Sequence, residues 1–302
     1  METEKIRALV AAADTGSLSA AASKLGYSPS GISRMISQLE SQTGYPLLVR
    51  HHNGVIPSDS CQILLPALRQ LLHDEDQILQ MSASISGAVV GQITIGTSFP
   101  SSYWRLSEYV ARFGKLHPGV TIRMKGNYSS ALLRELNEHK LDFCLISKRE
   151  GSHRWIPLFK DEVSALVQTG SSLASMKRIP VTMYETQPFI EIYPGADIDN
   201  NRVFEHYGIT PNTTYTTYDI RANMAMVSAG LGIGMCNKTD SSETVEGVTL
   251  LPLDPPQIIE AGIACLGDLS PAGKAFLEFV LKSWEKEDGV YSQDSGSSSG
   301  KK

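Results

Sequence analysis

Ile6, Leu9, Val10 and Ala13 recur at the spacing of one helical face, and Asp14-Thr15-Gly16 ends that helix. A second helix is expected from Ser17, a suitable N-cap, through Ala20, Ala21, Ala22 and Leu25, with Gly26 closing it. Alanines at contact positions let helix axes approach closely, as a compact three-helix head requires. Ser28-Pro29 marks a third start, with a capping hydroxyl and a proline at the first helical position, where a missing N–H costs nothing. Ile32, Ile36 and Leu39 point inward, while Ser30, Ser33, Arg34, Ser37 and Gln38 point away from the core. Gly31 costs roughly 1 kcal/mol inside a helix, tolerable where the helix must press close to a partner.

Two short helices joined by a tight turn form a helix-turn-helix, whose second helix enters a DNA groove. Short side chains at Ser28, Ser30, Ser33 and Ser37 let the backbone approach the bases, Arg34 reaches a guanine edge or a phosphate, and Gln38 completes the polar face. On periodicity alone, an ordinary solvated helix face explains the same residues. Asn53-Gly54 between two apolar runs predicts a hairpin, and a hairpin directly after a helix-turn-helix is a wing. Arg50, His51 and His52 would then lie along the phosphates. The adjacent histidines have no helical i, i+4 partner and no nearby cysteine, so no metal site is expected.

From Ser58 to about Ile85, Ile63, Leu64, Leu65, Leu68, Leu71, Leu72, Ile78 and Leu79 form a broad apolar stripe on one long helix. Pro66 either kinks this helix or sits near its first turn. Beyond it, strand and helix patterns alternate. Strands are expected at 91–97, 120–124 and 141–146, with helices at 103–116 and 129–138. A second set runs through strands at 165–168, 188–193, 213–218 and 232–236 and helices near 200–207 and 220–229. An apolar strand at 258–266 crosses back to the first set, and Pro271–Trp284 forms a final helix. Repeated strand–helix units imply a largely parallel sheet. The expected class is α+β: a winged helix-turn-helix over 1–58, a linker helix over 59–88, and a two-lobed α/β unit over 89–287. Lobe 1 comprises 89–163 and 266–287, lobe 2 comprises 164–265, and a disordered tail fills 288–302.

Composition narrows the function. The 302 residues are 41% hydrophobic and 20% charged, enough for globular cores, and carry a net charge of −5. Residues 1–58 hold five Lys/Arg against four Asp/Glu, a net +1. A head so weakly basic neutralises few phosphates alone, so a pair of heads is expected to bind DNA. No apolar run reaches the roughly 20 residues of a membrane span, and the start lacks a secretory pattern. A cytoplasmic location is therefore expected. Cys61, Cys144, Cys236 and Cys265 fit no metal spacing and read as buried thiols, with Cys236 and Cys265 the one pair to consider for redox chemistry. Gly230-Leu-Gly-Ile-Gly234 precedes a strand instead of following one, so it is a helix end and not a dinucleotide loop.

The head resembles that of the LysR-type transcriptional regulators through Gly16, Ser17, Ala21, Ala22, Leu25, Ser28, Ser33, Leu39, Glu40, Gly44, Leu47 and Arg50, in order and spacing. Pro29 stands where that family usually has a base-reading glutamine, Leu48 replaces its common phenylalanine, and Ser58 and Cys61 occupy its Thr and Gly positions. The resemblance implies a double-stranded DNA operator, pairing of the long helix between protomers in a homodimer or homotetramer, and RNA polymerase contact in an activator. It also implies a small-molecule effector held between two lobes akin to periplasmic binding proteins. Strand ends supply the candidate effector residues: Thr97, Ser98, Ser101 and Ser102, whose hydroxyls and N–H groups suit an anion, then Asn127, Ser147, Tyr218 and Asp219. Arg202, Arg221 and Lys148 are further candidates to pair with a carboxylate. No catalytic constellation or cofactor motif is present. The alternative reading is a solute-binding or enzymatic two-lobed protein whose head mediates assembly.

Overall fold

The computed structural model describes residues 2–241 and 246–288. The head begins with α1 (Thr3–Thr15), α2 (Leu18–Leu25) and α3 (Pro29–Thr43). Each terminus has a local cause. Ser17 Oγ accepts the Ala20 N–H at 3.3 Å, Ser28 Oγ accepts the Gly31 N–H at 3.1 Å, and Gly16, Gly26 and Gly44 end the three helices with left-handed backbone. Ile6, Leu9, Ala12, Ala21, Ile32, Ile36 and Leu39 close one core, joined by Leu47 and Val55 of the wing.

The wing pairs β1 (Leu48–His51) with β2 (Gly54–Pro57), Arg50 facing Val55 and His51 facing Gly54. The hairpin therefore turns at His52-Asn53, not at the expected Asn53-Gly54. Gly54 is needed for another reason. Its φ is +143°, and a Cβ there would lie 2.1 Å from the carbonyl oxygen of Gly16. That oxygen accepts the Val55 N–H at 2.9 Å, which docks the wing on the α1–α2 turn.

One helix, α4 (Asp59–Ile85), leads away from the head with Pro66 inside it. Cys61, Leu68 and Leu72 belong to the head core. Ile63, Ile78, Leu79, Met81 and Ile85 remain exposed. Head and helix are tied electrostatically: Arg7 reaches Glu75 at 2.8 Å and Asp76 at 2.5 Å, and buried Arg69 pairs with Asp14.

The remaining elements are β3 (Gly91–Thr97), α5 (Ser102–Leu116), β4 (Val120–Gly126), α6 (Ser129–Asn137), β5 (Phe143–Ser147), β6 (Arg154–Gln168), β7 (Ile179–Pro180), β8 (Phe189–Ile192), α7 (Asp199–Tyr207), β9 (Thr213–Thr217), α8 (Ile220–Ser228), β10 (Gly234–Asn237), β11 (Val248–Cys265) and α9 (Pro271–Asp288). The main sheet runs β10-β6-β11-β5-β3-β4, with β7 beside β11. It is mixed, which corrects the expected parallel sheet. β3 pairs in parallel with β4 and β5, whereas β11 runs antiparallel to β5 and β6, and β10 antiparallel to β6. β6 and β11 span both lobes, and the sequence pattern covers only 165–168 of β6 and the part of β11 from 258 onward. The pairing of β11 with β6 shifts between Pro252 and Gln257, around Pro255 and Pro256, prolines that lack the N–H a ladder needs.

Lobe 1 covers its sheet on one face with α5 and α9, through Leu106, Tyr109, Phe113, Phe276 and Trp284, and on the other with α6, through Leu132 and Leu136. Lobe 2 packs α7 through Val203 and Phe204 and α8 through Met224 and Val227. The tail expected to be disordered lies, beyond Asp288, outside the described residues. No helix among the described residues is long and apolar enough to cross a membrane.

Candidate functional site

The outer face of α3 exposes Ser30, Arg34, Ser37 and Gln38, with Ser33 half-buried beside them. Ser28 is exposed, but its hydroxyl is committed to capping α3 and contacting Ser30 Oγ at 3.1 Å. Arg50 on the wing donates to Ser33 Oγ at 3.2 Å, so wing and α3 form one continuous surface. His51 and His52 lie exposed at the hairpin end of that surface. Lys5 pairs with Glu2, and Arg7 with Glu75 and Asp76. Two of the head's five cations are thus already engaged by carboxylates.

Between the lobes lies a cavity of about 940 Å³. It receives Thr97, Ser98 and Ser101 from the end of β3 and start of α5, Asn127 from the end of β4, and Asp219 from the N-terminus of α8. Ser102, Ser147 and Tyr218 do not line it. Ser102 turns into lobe 1, where its hydroxyl contacts Thr97 Oγ1 at 2.8 Å and donates to the Phe99 carbonyl at 2.6 Å. Ser147 is buried and donates to Asp199 at 2.8 Å, and Tyr218 is 70% exposed with its ring against Tyr193. Asp219 caps α8, accepting the N–H groups of Arg221 and Ala222 at 2.7 and 3.0 Å.

The lobes are clamped by groups that the sequence pattern did not single out. Arg149, just beyond β5, donates to Asp199 of α7 at 2.9 Å, and its side chain is buried while that of Asp199 is 11% exposed. Arg149 also donates to Ser130 at 2.9 Å, and Ser130 in turn to Asp197 at 2.6 Å. The Arg202 guanidinium holds the Asp197 carboxyl down to about 2. At the other end of the cleft, the N–H and hydroxyl of Ser101 both donate to Asp240, at 3.3 and 3.1 Å. Burial pushes the Asp240 carboxyl up to about 7, against the effect of the Ser101 bonds and with that of nearby Asp161 and Asp199. An internal carboxylate thus occupies the start of α5, where an external anion was expected.

Tyr193 has a φ of +51°, a costly conformation for an aromatic residue. Its ring meets Tyr128 of lobe 1 at 5.3 Å and Tyr218 of lobe 2 at 6.0 Å. Tyr103, Tyr128 and Tyr193 give the cavity an aromatic wall. Of the cations suggested by sequence, Arg221 lines the cavity, Arg202 serves Asp197, and Lys148 pairs with Glu260 outside at 3.2 Å. The neighbour Arg149 was missed because only the fold shows which of two adjacent cations turns inward.

All four cysteines are buried and unpaired. Cys236 lies in β10 of lobe 2 and Cys265 at the lobe 1 end of β11, so the redox pair considered from sequence is not formed. Cys265 instead neighbours Cys144, and burial raises both thiols.

Residues 3–62 match the family described as "Bacterial regulatory helix-turn-helix protein, lysR family". Residues 86–285 match the LysR substrate binding domain. Similar relatives include the uncharacterised HTH-type transcriptional regulator YvbU of Bacillus subtilis, 23% identical over 95% of this chain and all of that protein. Another is the HTH-type regulator TtuA of Agrobacterium vitis, 25% identical over 84% of this chain and 86% of that one. Among solved structures, full-length OxyR C199D from Pseudomonas aeruginosa superposes with a TM-score of 0.70 at 17% identity, covering 94% of this chain and 95% of that one. Full-length CbnR complexed with its target DNA gives 0.60 at 17% identity, covering 94% of this chain and all of that one. The fold of those structures is this fold, and the two family matches together span nearly the whole described chain. The chain belongs to the LysR family of transcriptional regulators, which are not enzymes.

Proposed function

We propose that this protein binds a specific DNA operator through the outer face of α3 and its wing, and that a small molecule in the inter-lobe cavity gates that binding. The observation that carries the reading is the polar clamp across the cleft, Arg149–Asp199 at one end and Ser101–Asp240 at the other. Such a closure has two discrete arrangements that a ligand can bias. Ser30, Ser33, Arg34, Ser37 and Gln38 read bases or phosphates, with Arg50, His51 and His52 following the backbone, while Ser28 acts chiefly as a cap. Thr97, Ser98, Ser101, Asn127 and Asp219 face the effector. An anionic effector competes with Asp240 for Ser101, and its binding opens that end of the clamp.

Ile78, Leu79, Met81 and Ile85 give α4 an apolar face suited to the same helix of a second protomer, in a homodimer or homotetramer. Pairing compensates for a head with few available cations. The division into head (1–58), linker (59–88) and effector unit (89–287), a cytoplasmic location, and polymerase contact in the case of an activator belong to the same proposal.

The test is genome-wide mapping of the DNA bound by the full chain, followed by titration of a recovered fragment with wild type and the Arg34→Ala/Arg50→Ala variant. Each lost guanidinium contact is worth about 1–3 kcal/mol, so the double variant should bind the specific fragment at least about tenfold more weakly. Unchanged specific binding would overturn the assignment of this surface.

A further inference from the structure

We propose that His73, His139 and Asp268 form a divalent-metal site, suited to Zn²⁺, that pins the linker helix to lobe 1. The three come from separate segments: α4, the turn after α6, and the loop between β11 and α9. Their donor atoms all lie within 4.8 Å of one another, and each residue is half-buried. His73 Nε2 is 3.7 Å from the Asp268 carboxylate, and the two imidazole rings are 5.3 Å apart. Donors around a tetrahedral zinc at about 2.0–2.1 Å sit about 3.3 Å apart. Inward shifts of under about 1 Å, within side-chain rotation, therefore close the site on an ion, with water as fourth ligand.

The hydrogen bonding points the same way. The Gln77 amide nitrogen lies 2.7 Å from His73 Nε2 and donates to the Asp268 carbonyl. His73 Nε2 also lies 3.0 Å from that carbonyl, its role as donor or acceptor being set by the tautomer. Gln70 holds the Asp268 carboxylate at 3.1 Å, an outer support of the kind that orients metal ligands. Asp74 contributes negative potential at His139, and His73 and Asp142 attract each other. Of the cations lining the adjoining crevice, Lys140 is engaged by Glu138 and Asp14, Arg7 by Glu75 and Asp76, and Arg69 by Asp14. A crevice of about 500 Å³ lined by His73, His139 and Asp142 gives an ion access.

The site's place gives it a consequence. The Arg7 and Arg69 ion pairs fix α4 to the head, so an ion joining α4 to lobe 1 would set the angle between head and effector unit. Its spacing in sequence hides it, because the ligands are scattered over nearly 200 residues.

The full chain, stripped with chelator and dialysed, is titrated with Zn²⁺ by calorimetry and with Co²⁺ by visible absorption. The expected result is one ion per chain, a tetrahedral Co²⁺ band, and a rise in thermal midpoint on Zn²⁺ addition. His139→Gln and Asp268→Asn should each weaken binding more than about tenfold and abolish the midpoint rise, while His51→Gln/His52→Gln leaves both intact. Matching metal-free circular dichroism and melting identify the variants as folded. If either variant does not fold, His73→Gln provides the same comparison. Absence of stoichiometric binding to wild type, or binding undiminished in these variants, overturns the site. A simple His73–Asp268 ion pair predicts the first of those outcomes.

Discussion

On the outer face of α3, Ser30, Arg34, Ser37 and Gln38 project from successive turns of one helix. The cleft instead draws Thr97, Asn127, Arg149, Asp199, Asp219 and Asp240 from six different segments in two lobes. The head displays groups that are solvated until a partner arrives, so their pattern is local and their removal costs little stability. In the cleft, Arg149 is already paired with Asp199 and Asp240 with Ser101 across the lobes before any ligand binds. Function and stability are therefore separate in the head and entangled in the cleft.

Asp199→Ala should have the largest effect. It leaves the buried Arg149 guanidinium facing Ser130 and Ser147 without its counter-charge. Stranding one member of a buried pair costs about 3–5 kcal/mol. The thermal midpoint of the effector half should fall sharply, while the head's melting and intrinsic helicity change little. A small shift would mean that the clamp is solvated and that the contrast with the head is overstated.

Asp240→Asn should act in the opposite direction, on the order of 4 kcal/mol at neutral pH by the cost of about 1.4 kcal/mol per pKa unit. Burial raises this carboxyl from 3.8 to about 7, so between those values the folded chain holds a proton that the unfolded chain has released. That contribution to stability is greatest below about pH 4, is lost as pH rises to about 7, and stays constant above. Asparagine keeps an acceptor for Ser101 and cannot ionise. Melting curves from pH 4 to 8 should therefore lose this downward slope in the variant, with the two proteins converging at the acid end. An unchanged slope would assign the pH dependence elsewhere.

Gly54→Ala tests the one place where the head also depends on a long-range fit. A side chain at φ +143°, 2.1 Å from the Gly16 carbonyl, must displace the wing, at about 1–3 kcal/mol for the strain. The head should melt earlier and DNA affinity should fall with it, read by anisotropy on a mapped fragment. If affinity falls while stability holds, the wing positions Arg50 without supporting the fold.

The same division explains what was readable in advance. Ser17 and Ser28 cap the helices assigned to them, because a cap depends on residues three positions away. β3 and the start of β4 also follow their apolar runs. The inter-lobe halves of β6 and β11 carry charges and prolines, Lys160-Asp161-Glu162 and Asp254-Pro255-Pro256, that contradict a buried strand pattern. They are strands because each supplies the other's ladder across the gap between lobes. The hairpin was correctly expected, but its turn moved by one residue because Gly54 answers to Gly16 and not to the turn.

By itself the sequence determined the three-helix head, its outward polar face, the long linker helix and the alternation that builds two lobes. These follow from periodicity, capping and turn chemistry acting over a few residues. Only the tertiary structure decided that the sheet is mixed, that Arg149 and not Lys148 turns inward, that Asp240 occupies the anion position at α5, and that His73, His139 and Asp268 meet. Each of those depends on which distant groups share a low-dielectric space, where a charge is held only if its partner arrives from another part of the chain.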